Sequence, residues 1–192
     1  MSNAVNELKM KGHASREAAR KLAKISGEVK HQALLSVADS LVERQSEIVE
    51  ANEKDYKLGQ RNGLSEALLD RLILNQERLE IIAGDVRNIV KQPDPVGEIS
   101  DMRTMPNGLQ IGRRRVPLGV IGVIYESRPN VTVDVSMLCL KSGNAVILRG
   151  GKESIHSNSV LTRVIRDSIE SSGVPEDAVQ LVESTDRALV GQ

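Results

Sequence analysis

The chain has no phenylalanine, no tryptophan and only two tyrosines, Tyr56 and Tyr125. Binders of single-stranded nucleic acid stack bases on aromatic faces, and this chain has almost none to offer. Charge of one sign is missing as well. Its 26 lysines and arginines balance 26 aspartates and glutamates, so no net field draws it to nucleic acid or to an anionic membrane. One cysteine, Cys139, excludes an internal disulfide framework and suits a reducing, cytoplasmic setting. No apolar run approaches the roughly 18 residues of a membrane span. The opening residues, MSNAVNELKMKGHASREAARKLA, lack the continuous apolar stretch of a secretory signal. His13, His31 and His156 are scattered and no metal-ligand spacing occurs, so no metal is expected.

What is there divides into three regions. Residues 1–96 read as helical. Ala18, Leu22 and Ile25, with Ala19 alongside, recur at helical spacing. Val29, Ala33, Leu34, Val37, Ala38, Leu41, Val42, Ile48 and Val49 form one long apolar stripe. Gly27 is placed to separate these two helices. Asn62-Gly63 marks a turn, and residues 66–72 suit a short helix. Asn75 is placed to cap a helix whose apolar face is Leu79, Ile82, Ala83, Val86 and Val90, ended by Pro93 and Pro95. Residues 97–116 carry Pro106-Asn107-Gly108 between two extended segments, 98–105 and 109–116, which predicts a β-hairpin. Residues 117–192 alternate short apolar strands at 120–125, 145–148 and 179–182 with helices at 133–142, 155–172 and from about Thr185. Gly173 stands as a helix terminator with Pro175 beyond it. That alternation predicts an α/β fold with a right-handed parallel sheet. Three strands are few for a doubly wound domain, so the sheet reads as the first part of a larger one.

The richest stretch is 116–158, VPLGVIGVIYESRPNVTVDVSMLCLKSGNAVILRGGKESIHSN. An apolar strand breaks off into Glu126-Ser127-Arg128-Pro129-Asn130, the way a parallel sheet presents functional groups at the carboxyl end of a strand. Gly119 and Gly122 form no GxGxxG fingerprint and read as close-packing positions. Asn130 has two readings. Its amide is a neutral donor able to stabilise an oxyanion; equally, it is placed to cap a helix beginning near Val131 or Thr132. Arg128 is able to hold an acyl phosphate or an α-carboxylate by a two-pronged hydrogen bond, or to pair with Glu126. Ser127 is a further candidate donor to substrate. Arg149-Gly150-Gly151-Lys152 follows the second strand, near where such sheets place the ribose of a dinucleotide. An Arg there suits a 2′-phosphate and favours NADPH over NADH; an ordinary basic turn is the alternative. The glycines permit close backbone approach. Ser154, His156 and Ser157 open the next helix, whose N–H groups are able to face a phosphate. Cys139, among Met137, Leu138 and Leu140, reads as a buried, inert thiol.

Two ungapped runs, PLGVIGVIYESRPN at 117–130 and KSGNAVILRGG at 141–151, resemble the gamma-glutamyl phosphate reductases of the aldehyde dehydrogenase superfamily in order and spacing. The likeness is closest from Arg115 onward and looser, but compatible, over the helices before it. The resemblance implies an aldehyde dehydrogenase-like fold. Its parts are N-terminal helices, a 97–116 hairpin that pairs with a neighbouring subunit of a homo-oligomer, and the first part of a Rossmann-like NADP-binding domain at 117–192. It implies NADPH-dependent reduction of L-glutamyl 5-phosphate to L-glutamate 5-semialdehyde and phosphate, in proline biosynthesis. It shifts Asn130 toward the oxyanion role and gives Arg149 a ribose contact. It assigns Pro117, Leu118, Gly119, Arg149, Gly150 and Lys152 to the cofactor, and Arg128 and Ser127 to the substrate. It implies a longer enzyme whose nucleophilic cysteine lies past Gln192, so this chain alone is expected to be inactive. Three alternatives stand beside it. One is another aldehyde dehydrogenase, against which the Glu-Ser-Arg-Pro-Asn turn speaks, since most carry an aromatic-rich turn there. Another is the reductase half of a bifunctional enzyme, against which the start at Met1 speaks. The third, of a different class, is a non-catalytic fragment that binds nucleotide or a partner.

Overall fold

The computed structural model describes residues 3–184, so the helix expected from about Thr185 lies outside the described residues. Five helices come first: α1 (Asn3–Leu22), α2 (Gly27–Glu43), α3 (Gln45–Arg61), α4 (Glu66–Leu72) and α5 (Gln76–Lys91). The break between α1 and α2 is set by Ser26 rather than by Gly27. The Ser26 hydroxyl accepts the Val29 N–H at 3.3 Å, and Gly27 is already helical. A Cβ there would stand 2.7 Å from Asp94 Oδ2, so any larger residue would have to displace that carboxylate. The long stripe from Val29 to Val49 is two helices, not one. Arg44, at φ −98° and ψ 19°, interrupts it without a glycine or proline, its guanidinium bonded to Glu47 and, at 2.8 Å, to Asp167. Asn75 caps α5, accepting the Arg78 N–H at 2.8 Å.

Strands β1 (Ile99–Thr104) and β2 (Gln110–Arg114) form the antiparallel hairpin, with an irregularity between Ser100 and Arg103. Its turn closes with the Gly108 N–H on the Met105 carbonyl at 2.9 Å, and Gly108 takes φ +82°, which favours glycine. Every residue of both strands is exposed, so neither packs on the core.

Strands β3 (Val120–Ile124), β4 (Ala145–Arg149) and β5 (Val179–Leu181) form a parallel sheet in the order β3-β4-β5. The crossovers are α6 (Asn130–Lys141) and α7 (Ile155–Ser171). Both step the same way across the sheet, so right-handed connections put them on one face. Helix α1 covers the other face against β4, while α2, α3 and α5 back α6 and α7. The core gathers where these layers meet: Leu34, Leu41, Met137, Leu140, Leu148, Leu161 and Ile165 are each at most 1% exposed. Each such side chain contributes roughly 1.5–3 kcal/mol by leaving water. Helices α6 and α7 end by the same device. Gly143 (φ +75°) and Gly173 (φ +83°) turn the chain so that the Asn144 N–H reaches Cys139 O at 2.8 Å and the Val174 N–H reaches Ile169 O at 3.0 Å. Helix α1 also grips the far end of the chain: Glu7 accepts the Glu183 N–H at 3.0 Å, and Lys11 donates to the Leu181 carbonyl.

Candidate active site at the carboxyl edge of the parallel sheet

Ile124 lies opposite Arg149 at the end of the β3–β4 ladder, and the Tyr125 N–H extends it by bonding Arg149 O at 3.0 Å. The two turns that follow, 125–129 and 150–154, are therefore side by side. Buried polar side chains join them. Thr132 donates to Asn158 Oδ1 at 3.0 Å, so its oxygen accepts the Tyr125 hydroxyl at 2.6 Å. Asn158 Nδ2 donates in turn to Ser154 Oγ at 3.0 Å. Burial pushes the Tyr125 phenol up to about 12, which keeps it a neutral donor. A Cβ on Gly150 would overlap Asn158 Nδ2 and stand 3.2 Å from the Tyr125 ring. The protein's own packing therefore favours glycine at that position.

Helix α6 begins at Asn130, three residues earlier than the periodicity predicts, because Pro129 at φ −59° and ψ −30° is already helical. Asn130 is consequently inside the first turn, and its side chain caps nothing. The first-turn N–H groups are met by backbone instead: Val131 N–H on Arg128 O at 3.1 Å and Thr132 N–H on Pro129 O at 3.0 Å. The Asn130 amide is left with one hydrogen bond among the described residues, from Nδ2 to Asp134 Oδ2 at 3.1 Å. Beyond it opens a cleft of about 210 Å³ lined by Arg71, Ile81, Ile82, Asp85, Asn130 and Asp134. Burial holds the Asp134 carboxyl above its usual range; the Asn130 hydrogen bond opposes this and the nearby Asp85 charge adds to it.

Arg128 is exposed beside a smaller cleft that Arg71 also lines. No hydrogen bond or ion pair joins its side chain to Glu126 among the described residues. Ser127 is half-buried and donates to Glu153 at 3.2 Å, so its hydroxyl is engaged across the two turns. Arg149 ends β4, and Lys152 is exposed in the following turn. Pro117, Leu118 and Gly119 do not join this group. They precede β3, at the opposite end of the sheet, a strand length of roughly 17 Å away. There the Gly119 N–H bonds Asn144 Oδ1 at 2.9 Å. The N–H groups at the start of α7 are also not open to a phosphate. The Asp55 carboxylate of α3, 1% exposed, accepts the His156 N–H at 3.2 Å, His156 Nδ1 at 2.7 Å, the Ser157 N–H at 2.7 Å and Ser157 Oγ at 2.6 Å. Cys139 is buried on α6 and its thiol is pushed up to about 11 by burial.

Sequence reasoning passed over Asp55, Thr132, Asp134 and Asn158. Only Asp134 carried a local signal: four residues past Asn130, it shares that residue's helix face. No helix among the described residues is long and apolar enough to cross a membrane, and no group of three or more His, Cys, Asp or Glu there is placed to hold a metal.

The model of the aldehyde dehydrogenase family matches residues 4–192. The gamma-glutamyl phosphate reductase of Moorella thermoacetica is 55% identical over 188 residues, which are 98% of this chain and 45% of that protein. The crystal structure of gamma-glutamyl phosphate reductase from Thermotoga maritima superposes with a TM-score of 0.94 at 42% identity, over 96% of this chain and 44% of that one. That of the Saccharomyces cerevisiae protein gives 0.87 at 32% identity, over 97% and 47%. The chain spans a little under half the length of the curated relatives it matches.

Proposed function

The chain belongs to the aldehyde dehydrogenase family, and on that premise we propose that it is the amino-terminal part of a reductase that converts L-glutamyl 5-phosphate to L-glutamate 5-semialdehyde and phosphate at the expense of NADPH, in proline biosynthesis. The observation that carries this reading is the 55% identity to a gamma-glutamyl phosphate reductase across nearly the whole chain. The geometry supports it with a donor in a suitable place. Asn130 Nδ2 uses one hydrogen on Asp134, and its other N–H has no partner among the described residues, at the lip of an open cleft. A fixed neutral donor there stabilises the oxygen that gains charge as the acyl carbon becomes tetrahedral. Arg128 and Arg71 stand by the same turn with the charge and fork geometry that an acyl phosphate calls for.

NADPH, when bound, supplies the hydride. The chemistry of Arg149 and Lys152 at the carboxyl edge fits the 2′-phosphate end of that cofactor. With the α7 N-terminus taken by Asp55, we assign the pyrophosphate no site on this chain. Cys139 is not the nucleophile. Buried and pushed up to about 11, it holds its proton at neutral pH, and the chain has no other cysteine. The thiolate that attacks the acyl phosphate and expels phosphate must come from elsewhere in the enzyme, and we expect this chain alone to be inactive.

The hairpin supports assembly into a homo-oligomer. Ile99, Met102, Leu109 and Ile111 are all exposed on it, uncovered by anything within the described residues. We place the enzyme in the cytoplasm, in keeping with its single buried cysteine.

The test is phosphate-dependent oxidation of L-glutamate 5-semialdehyde with NADP⁺ by a complete enzyme carrying these residues. Asn130→Ala should lower kcat by about 10²–10³ with little change in KM. Turnover that ignores phosphate would refute the reductase reading; an Asn130→Ala enzyme within threefold of the parent would refute the oxyanion role.

A further inference from the structure

The cleft in front of Asn130 carries a charge pattern that the oxyanion role leaves unused. Asn130 and Asp134 sit one turn apart on the same face of α6 and are joined at 3.1 Å. Asp85 reaches the cleft from α5 and Arg71 from α4. Neither Asp85 nor Asp134 forms an ion pair among the described residues. Arg71 is exposed and unpaired as well, and it lines both this cleft and the one beside Arg128.

Taken alone, this is a poor setting for the chemistry. A carboxylate one amide away from a growing oxyanion opposes it by Coulomb repulsion in a partly dry cleft. The arrangement becomes favourable if a cation settles against Asp134 when substrate binds. A γ-glutamyl substrate brings such a cation. Two methylenes and the α-carbon separate its reacting carbonyl from its ammonium, a short flexible span that allows the carbonyl to meet Asn130 while the ammonium meets Asp134, side chains that lie 3.1 Å apart.

Resting on the reductase reading, we propose that this cleft is the subsite for the charged head of an α-amino acid substrate, with Asp134 and Asp85 taking the ammonium and Arg71 the carboxylate. Recognition and chemistry are then coupled. The ammonium cancels the charge that would resist the oxyanion, so a substrate without it loses kcat as well as affinity. The raised carboxyl range of Asp134 agrees with a group short of a cation in the absence of substrate.

The experiment compares two aldehydes in the phosphate- and NADP⁺-dependent oxidation catalysed by the complete enzyme: L-glutamate 5-semialdehyde, and glutarate semialdehyde, which keeps the carboxylate but lacks the ammonium. The parent enzyme should prefer the amino aldehyde by about 10- to 100-fold in kcat/KM, the size of one charge-assisted hydrogen bond. Asp134→Asn should bring that preference within about threefold, by slowing the amino aldehyde and not the other. Arg71→Ala, at an exposed position, should raise KM for both, and it keeps the test open should Asp134→Asn fail to fold. If Asp134→Asn slows both aldehydes equally, Asp134 only orients Asn130 and the proposal falls. It falls too if the parent enzyme shows no preference, or if Arg71→Ala leaves both KM values unchanged. A parent enzyme inactive on both aldehydes would sink the reductase reading itself, and this assignment with it.

Discussion

Removing the Asp55 carboxylate should unseat the start of α7. Asp55 comes from α3 and accepts four hydrogen bonds from His156 and Ser157 while 1% exposed. It acts as the N-cap that Ser154 does not supply, since Ser154 makes no side-chain cap bond there. In Asp55→Ala the half-exposed His156 ring turns to water, while the Ser157 hydroxyl loses the acceptor for its proton and keeps only the bond it accepts from Asn52 Nδ2 at 3.0 Å. The Ser157 N–H has no such recourse, because Ser157 is 0% exposed. An orphaned buried N–H costs about 1–3 kcal/mol, and a lost cap with its helix-dipole attraction about 1–2 kcal/mol more. Relief of the buried charge offsets some of this. The net loss should be about 3 kcal/mol, a large part of the stability of an ordinary domain. Asp55→Asn, which keeps one acceptor, should lose about half as much, and His156→Ala under 1 kcal/mol. Urea unfolding followed by circular dichroism at 222 nm measures all three. If Asp55→Ala costs less than 1 kcal/mol, or no more than His156→Ala, the carboxylate is not what holds the helix start.

Three further outcomes are expected. Gly150→Ala should destabilise by about 1–3 kcal/mol by overpacking, because its Cβ meets Asn158 and Tyr125; an unchanged urea midpoint would contradict the packing described for the two turns. Cys139 should resist an aromatic disulfide reagent at pH 8 while folded and react within seconds in urea, since burial pushes its thiol to about 11; fast labelling of the native protein would count against its burial. The folded-state pKa of Asp134 is raised, so its contribution to stability is fully present below the ordinary value of 3.8 and is lost as pH climbs through the raised one. Asp134→Asn, which mimics the protonated form, should therefore melt above the parent at pH 7 and lose that advantage below pH 3.8; a variant that melts lower at pH 7 would overturn the sign.

Much of this was legible in the residues because the signals were local. The short helix at Glu66–Leu72, the Asn75 cap, the Asn-Gly hairpin and the three apolar strands are each read from a handful of neighbours. What escaped was non-local or unusually quiet. The break at Arg44 has no breaker residue, and one partner of its guanidinium, Asp167, is far along the chain. The α7 cap lies about a hundred residues from the helix it caps. Asn130 has every mark of a capping residue, and a helical Pro129 beside it pre-empts that use. For the site, the resemblance named Asn130 and Arg149 at the carboxyl ends of strands and Pro117–Gly119 at a strand entry, and the register of β3 on β4 sets the distance between the two groups.

The grip of α1 on the residues after β5 has a consequence for how the chain folds. Glu7 and Glu183 are 176 positions apart, and Lys11 and Leu181 are 170 apart. Helix α1 leaves the ribosome some 170 residues before its seat at β5 does. The entropy of closing so long a loop grows only logarithmically, but contacts of this separation slow the search that finds them. Until that seat is made, the bonds of Glu7 and Lys11 to it cannot form. Loss of α1 and loss of the residues around Leu181–Glu183 would break the same clasp, so the two segments stand or fall together.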